Sequence, residues 1–147
     1  MVFSIKGEKS FTNKHKYIDG DGLSHDLVGF CDRSVLLGCQ YLGLDIESNS
    51  NRVLGVSGYF SVKQLLKAEI TIPKIIGERT LFLEECEIVT GTAKEYPYKL
   101  DSKFCKKLGC ICIGDDKKVL EAFKITEDFY VSILDGKIVA IFIFIDR

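Results

Sequence analysis

The sequence predicts a mainly β fold, α+β at most, and three observations support that class. Apolar stretches of strand length alternate with Gly, Asn, Asp and Ser along most of the chain. Asp135-Gly136 separates two β-rich runs, which is typical of a type I′ hairpin turn. A helix start signal stands at Ser61, but the apolar run after it is short. We expect about eight or nine strands and one or two short helices, in a curved antiparallel sheet, a barrel or a sandwich.

The C-terminal hairpin is the clearest element. Its arms are residues 129–134 and 137–145, on either side of Asp135-Gly136. Both faces of the second arm are apolar, so we expect this strand in the middle of a sheet with a layer on each side. One face carries Ile138, Ala140, Phe142 and Phe144, and the other carries Val139, Ile141, Ile143 and Ile145.

A second hairpin is predicted in the first third of the chain. Its arms are residues 26–31 and 35–46, and Asp32-Arg33-Ser34 is its turn. Gly38 and Gly43 fall inside the second arm, and glycines inside strands indicate bulges or sharp bends. The pattern is therefore typical of a strongly curved sheet.

The middle of the chain continues the β pattern with one exception. A polar loop is predicted at 47–51 and an alternating strand at 52–60. Ser61-Val62-Lys63-Gln64 has the spacing of a capping box, which predicts a short helix through Ala68. Further strands are expected at 80–90 and 107–113, whereas 118–125 fits a strand or a short helix.

Composition indicates one ordinary globular domain over residues 1–147. The net charge of −1 offers no basic field for phosphates, which disfavours nucleic-acid binding. The longest apolar run, 138–145, is too short for a membrane-spanning helix, and the N-terminus has no signal-peptide core. We therefore expect a cytoplasmic protein without a cofactor, in which the six cysteines are free thiols.

Both histidines lie within one short polar segment. His15, Asp19, Asp21 and His25 could supply nitrogen and oxygen ligands to a metal ion. The same residues also fit a polar turn in which Asp and Gly provide caps and positive φ angles. The sequence favours the turn, and no metal site is predicted.

Acidic residues at three places are the predicted contacts for a partner. The Glu-rich strand near Cys86 brings at least one carboxylate close to apolar surface, whichever face is buried. The other two places are predicted turns. The candidate contact residues are Glu84, Glu85, Glu87, Asp115, Asp116, Glu127 and Asp128.

Three functions from different classes fit these features. The favoured one is a small intracellular protein-binding module, such as an immunity or inhibitor protein that neutralises a basic toxin or effector by surface contacts. The first alternative is a small-ligand-binding or enzymatic β-barrel. A cysteine–histidine pair such as Cys31 with His25 could act as nucleophile and base, but no motif supports it, so no catalytic residue is predicted. The second is a nucleic-acid-binding β domain. Its contacts would be Lys6, Lys9, Lys14 and Lys16 with the interleaved rings of Phe11 and Tyr17.

Overall fold

The computed structural model describes residues 1–7, 14–26, 30–85 and 88–145, and of Glu85 the backbone alone. Strands make up 56% and helices 5% of the fold, which confirms the mainly β class. The described residues form fifteen strands and two 3₁₀ helices. The number of strands exceeds the prediction because several are edge strands too short to carry a hydrophobic period, such as Leu66–Lys67.

A seven-stranded sheet contains the C-terminal hairpin. The turn has φ angles of 52° at Asp135 and 76° at Gly136, so the predicted type I′ hairpin is confirmed. Neighbouring strands are antiparallel except at the two ends of the sheet, where the pairs are parallel. The order is β7 (Leu66–Lys67), β11 (Ser102–Cys105), β12 (Cys110–Gly114), β15 (Lys137–Phe144), β14 (Phe129–Leu134), β13 (Glu121–Thr126) and β8 (Lys74–Glu78).

The last strand, β15, is the fourth of seven, which confirms its predicted central place. Ile141 and Ile143 join the main core, while Phe142 and Phe144 join a second apolar cluster on the opposite face. Ile138 was predicted on the Phe142 face but lies in the main core. The reason is a bulge, since the β14–β15 register shifts beside Ser132 and reverses the alternation.

The remaining strands form three smaller sheets. Residues from these sheets and from one face of the seven-stranded sheet share the main core. The four-stranded sheet has the order β10 (Ala93–Glu95), β4 (Cys31–Leu36), β5 (Gly43–Glu47) and β6 (Val53–Ser57). The two-stranded sheets pair β1 (Val2–Lys6) with β9 (Thr80–Glu85), and β2 (His15–Ile18) with β3 (Gly22–His25).

The predicted turn at residues 32–34 is wrong. These residues lie in the middle of β4, and the chain reverses at 37–42. The polar side chains that indicated a turn are used inside the sheet. Arg33 donates to the carbonyl of Glu47 at 3.1 Å, and Ser34 donates to Asp45 at 3.5 Å. Of the predicted first arm, residues 27–29 lie outside the described residues.

The predicted helix at 61–68 shrinks to one 3₁₀ turn, Val62–Gln64. Ser61 makes no side-chain cap hydrogen bond, so the capping box does not form. The second 3₁₀ helix, Asp116–Lys118, precedes β13, which resolves the ambiguous segment 118–125 as mostly strand. The helices that the structure describes include none long and apolar enough to cross a membrane.

Candidate functional site

His15, at the start of β2, is buried where three sheets meet. Its Nδ1 lies 2.6 Å from Oδ1 of Asp128, and its backbone N–H donates to Oδ2 of the same carboxylate at 2.6 Å. The Nε2 atom accepts a hydrogen bond from the N–H of Val56 at 3.0 Å. Because Nε2 accepts, the ring proton resides on Nδ1 and is donated to Asp128. His15 therefore ties β2 to the β13–β14 turn and to β6.

His25 lies opposite His15 on β3 and has its own carboxylate. Its Nε2 is 2.6 Å from Oδ2 of Asp45, and the Ser57 hydroxyl donates to the same oxygen at 2.6 Å. The Nδ1 atom is buried without a hydrogen-bond partner among the described residues. The centroids of the two imidazole rings are 5.5 Å apart. We call His15, His25, Asp45 and Asp128 the His–Asp cluster.

The structure does not assemble the metal ligands considered from the sequence. The histidines are at the open end of the β2–β3 hairpin, whereas Asp19 and Asp21 are at its turn, about 10 Å along the strands. Asp19 instead pairs with Lys63 at 3.1 Å and accepts from the Tyr17 hydroxyl at 3.1 Å. Within the described residues, no group of three or more His, Cys, Asp and Glu side chains is arranged to hold a metal ion.

Two predicted contact residues, Asp116 and Asp128, are buried. Asp128 belongs to the His–Asp cluster and also accepts from the Thr126 hydroxyl at 3.2 Å. Asp116 is paired with the Lys103 ammonium and accepts from the N–H of Thr71 at 2.7 Å. Burial opposes ionisation of Asp116, but these hydrogen bonds outweigh it and hold its pKa below the ordinary value. Both carboxylates are therefore committed to the fold.

The exposed predicted contacts Glu84 and Asp115 and the half-buried Glu127 lie on different elements, and each is close to a lysine. Glu84 on β9 pairs with Lys6, whose ammonium, with the Ser4 hydroxyl, lowers the pKa of this carboxyl. Asp115 and Glu127 have lysine partners at 3.9 and 3.4 Å respectively. The side chains of Glu85 and Glu87 lie outside the described residues. Contact of these carboxylates with a partner stays a prediction.

Five of the six cysteines lie in the described residues, and all five are free thiols. Burial raises the pKa of Cys112 to about 12, with the carboxylate of Asp116 acting in the same direction. This thiol therefore stays protonated and unreactive at neutral pH. Cys86 lies outside the described residues. The buried thiols are Cys39, Cys105, Cys110 and Cys112.

The predicted nucleic-acid surface is described only in part. Lys9 and Phe11 lie outside the described residues. Lys6 is committed to Glu84, and the Tyr17 hydroxyl bridges Asp19 and the N–H of Val62. Two of its predicted contacts therefore already have partners within the protein.

The strongest candidate for a binding site is a cleft that sequence reasoning missed. It has a volume of about 690 Å³ and lies between the β2–β3 turn, the β4–β5 turn and the segment after β6. Tyr41 and Tyr59 are 74% and 64% exposed at its rim, while Phe60 is buried at its floor. We call it the tyrosine cleft. Its polar lining residues include Asp19, Gln40, Ser61, Lys63 and Gln64.

Hydrogen bonds brace the three segments around the tyrosine cleft. The amide of Gln40 accepts from the N–H of Ser61 at 2.8 Å and donates to the carbonyl of the same residue at 3.0 Å. The N–H of Tyr41 donates to the carbonyl of Tyr59 at 3.2 Å. The ion pair between Lys63 and Asp19 closes the third side. The cleft is therefore a preformed shape rather than a gap between loose loops.

Two glycines allow the segments to approach so closely. A Cβ on Gly58 would lie 2.1 Å from the carbonyl oxygen of Tyr41. A Cβ on Gly22 would lie 2.2 Å from the carbonyl oxygen of Gly58. Both residues have positive φ angles, and the N–H of Leu23 donates to Gly58 at 2.9 Å. Glycine at these two positions is thus a requirement of the cleft.

Comparison with known proteins gives this chain no relative. No family model matches it, and no curated protein or solved structure matches it either.

Proposed function

We propose that this chain is a protein-binding module that contacts its partner through the tyrosine cleft, in the manner of an inhibitor or immunity protein. The observation that carries the proposal is the pair of exposed rings, Tyr41 and Tyr59, on a braced rim. The cytoplasm remains its expected location.

Exposed tyrosines are suited to this role for energetic reasons. A tyrosine ring offers a large amphipathic contact area and has only two side-chain torsions to immobilise. Tyrosine is accordingly enriched among the few interface residues that contribute about 2 kcal/mol or more to binding. Gln64, Ser61 and Lys63 surround the rings with polar groups, as in a typical interface rim.

The bracing of the rim supports the same conclusion. A binding surface built from loops normally loses affinity because the loops must be ordered when the partner arrives. Here the side chain of Gln40 and the backbone of Tyr41 are already held by hydrogen bonds to the segment after β6. The free energy of contact is therefore available for affinity rather than for ordering the site.

The chemistry of the cleft sharpens the expected partner. The charges of Lys63 and Asp19 offset each other, so the cleft favours neither a strongly acidic nor a strongly basic surface. We expect an apolar or aromatic protrusion of the partner to enter between the tyrosines. A basic toxin or effector would instead contact the surface carboxylates, which already have lysine neighbours.

A quantitative pull-down tests the proposal. Three immobilised baits are compared in lysate of the native source: the unchanged protein, the double variant Tyr41→Ala/Tyr59→Ala, and Phe30→Ala. Phe30 is a matched control because it is 74% exposed, as Tyr41 is, but does not line the cleft. The proposal expects a stoichiometric protein that the unchanged protein and Phe30→Ala retain and the double variant loses. A partner that the double variant retains fully, or the absence of any such partner, would contradict it.

A further inference from the structure

A second cavity lies on the outer face of the seven-stranded sheet. Its floor consists of Tyr130 on β14 and Phe142 and Phe144 on β15. Its walls are Ile72 and Pro73, from the segment that crosses this face, and Ile75 at the edge strand β8. The cavity has a volume of about 240 Å³, and we call it the apolar pocket.

The side chains that line the apolar pocket offer few hydrogen-bonding groups to water. Among the six lining side chains, Tyr130 alone has a polar atom, and its hydroxyl already donates to the carbonyl of Glu127 at 3.3 Å. A buried water requires two to four polar partners, so water in this space is weakly held. Its displacement by an apolar guest is therefore favourable.

The shape of the floor selects the kind of guest. The rings of Tyr130 and Phe144 meet edge to face, with centroids 5.6 Å apart and planes at 89°. The edges and faces of such rings pair well with another aromatic ring, at about 0.5–1.5 kcal/mol beyond the area buried. The lining side chains include no ionisable amine or carboxylate to pair with a charged guest.

From these observations we propose that the apolar pocket binds a small, uncharged aromatic molecule of one or two rings. The volume fits this class, because an apolar protein cavity of about 150 Å³ is sufficient for benzene. The site is distinct from the tyrosine cleft, with which it shares no lining residue. The two proposals can therefore fail separately.

Adjacent isoleucines on β8 provide a matched pair of variants. Ile75 and Ile76 are 39% and 38% exposed, but only Ile75 is among the lining residues. Ile75→Trp should fill the pocket, whereas Ile76→Trp adds the same ring beside it. Indole is the probe, benzoate is its charged counterpart, and binding is followed by ¹H–¹⁵N chemical shifts and by the Tm.

We expect saturable binding of indole with a Kd on the order of 0.1–1 mM. The chemical-shift changes should centre on Tyr130 and Phe142, and the Tm should rise. Ile76→Trp should bind equally, Ile75→Trp at least tenfold more weakly, and benzoate should not bind. The proposal is overturned if indole does not saturate, if Ile75→Trp binds as the unchanged protein does, if benzoate equals indole, or if the shifts centre elsewhere.

Discussion

The two ends of the β2–β3 hairpin use their polar residues in opposite ways. At the open end, His15 and His25 are directed inward, and each has a carboxylate at 2.6 Å. At the turn, Asp19 pairs with Lys63 on the rim of the tyrosine cleft, where Tyr41 stands exposed. The hairpin is thus attached to the fold at one end and forms part of a surface cleft at the other.

The difference shows where function should be sought in this protein. Residues with ionisable side chains are the usual guides to an active site, but here the buried ones support the junction between sheets. The exposed rings have no comparable structural role, because most of their area faces solvent. Substitutions of the buried polar residues should therefore destabilise the fold much more than substitutions of the exposed rings.

Removal of the carboxylate of Asp128 should be the most damaging change. Asp128→Ala leaves the N–H groups of His15 without their acceptor in a buried place. Each buried donor left without an acceptor costs about 1–3 kcal/mol, and two donors are affected here. The free energy of unfolding measured in urea should therefore fall by several kcal/mol. The control Glu127→Ala, at the half-buried neighbour, removes only a partly solvated ion pair with Lys124 and should cost little. A loss for Asp128→Ala below about 1 kcal/mol would contradict the structural role of the cluster.

Gly55→Ala should be the next most damaging change. A Cβ at this position would lie 2.8 Å from Cδ2 of His25 and 3.1 Å from Nε2 of His15. Overpacking of this kind costs about 1–3 kcal/mol. Combining the change with His25→Ala removes the closest contact, so the two costs should not add. If the losses in unfolding free energy of the two single variants add exactly in the double variant, the contact with His25 is not the cause of the destabilisation.

The pair of Lys103 and Asp116 should make stability depend on pH in the acid range. Because the fold lowers the pKa of Asp116 below its ordinary value of 3.8, the carboxylate stabilises the protein above that pH. This contribution is lost as the pH falls through the lowered pKa. Asp116→Asn should therefore cost about 1–3 kcal/mol at pH 6, and the cost should shrink in more acidic solution. If the difference in unfolding free energy between Asp116→Asn and the unchanged protein stayed constant down to pH 2, ionised Asp116 would not be the source of the stabilisation.

The tyrosine substitutions should have the smallest effect on stability. Tyr41→Ala and Tyr59→Ala remove side chains that are mostly exposed, and the hydrogen bond between these residues joins backbone atoms. Each should change the free energy of unfolding by about 0.5 kcal/mol or less. A loss of unfolding free energy above about 1.5 kcal/mol would mean that the rings support the fold. Their exposure would then be no evidence for a binding site.

Local sequence patterns predicted the β class and the C-terminal hairpin because those features depend on neighbouring residues. The Asp135-Gly136 turn and the apolar faces of β15 are of this kind. The β4–β5 turn was misplaced because Asp32, Arg33 and Ser34 resemble a turn until their partners on β5 are known. Long-range contacts decide such cases.

The candidate sites show the same limit. The sequence singled out both histidines and, separately, Asp128, but it could not show that His15 contacts Asp128, because the two are 113 residues apart along the chain. It also could not bring Tyr41 beside Tyr59, because that approach depends on the close packing of Gly22 and Gly58. Nothing in the local sequence marked Tyr41 as a surface residue, because Gln40 and Tyr41 fall within the strand predicted over residues 35–46.

We expect Tyr41 and Tyr59, and not the surface carboxylates, to provide most of the binding free energy. The most direct measurement is the Kd of the captured partner for Tyr41→Ala/Tyr59→Ala and for the charge reversal Glu84→Lys/Glu127→Lys, each with its unfolding free energy. We expect the tyrosine variant to bind at least about 100-fold more weakly, with unchanged stability, and the charge reversal to change the Kd less than about fivefold. A charge reversal that abolishes binding while the tyrosine variant binds normally would contradict the claim and return the contact surface to the carboxylates.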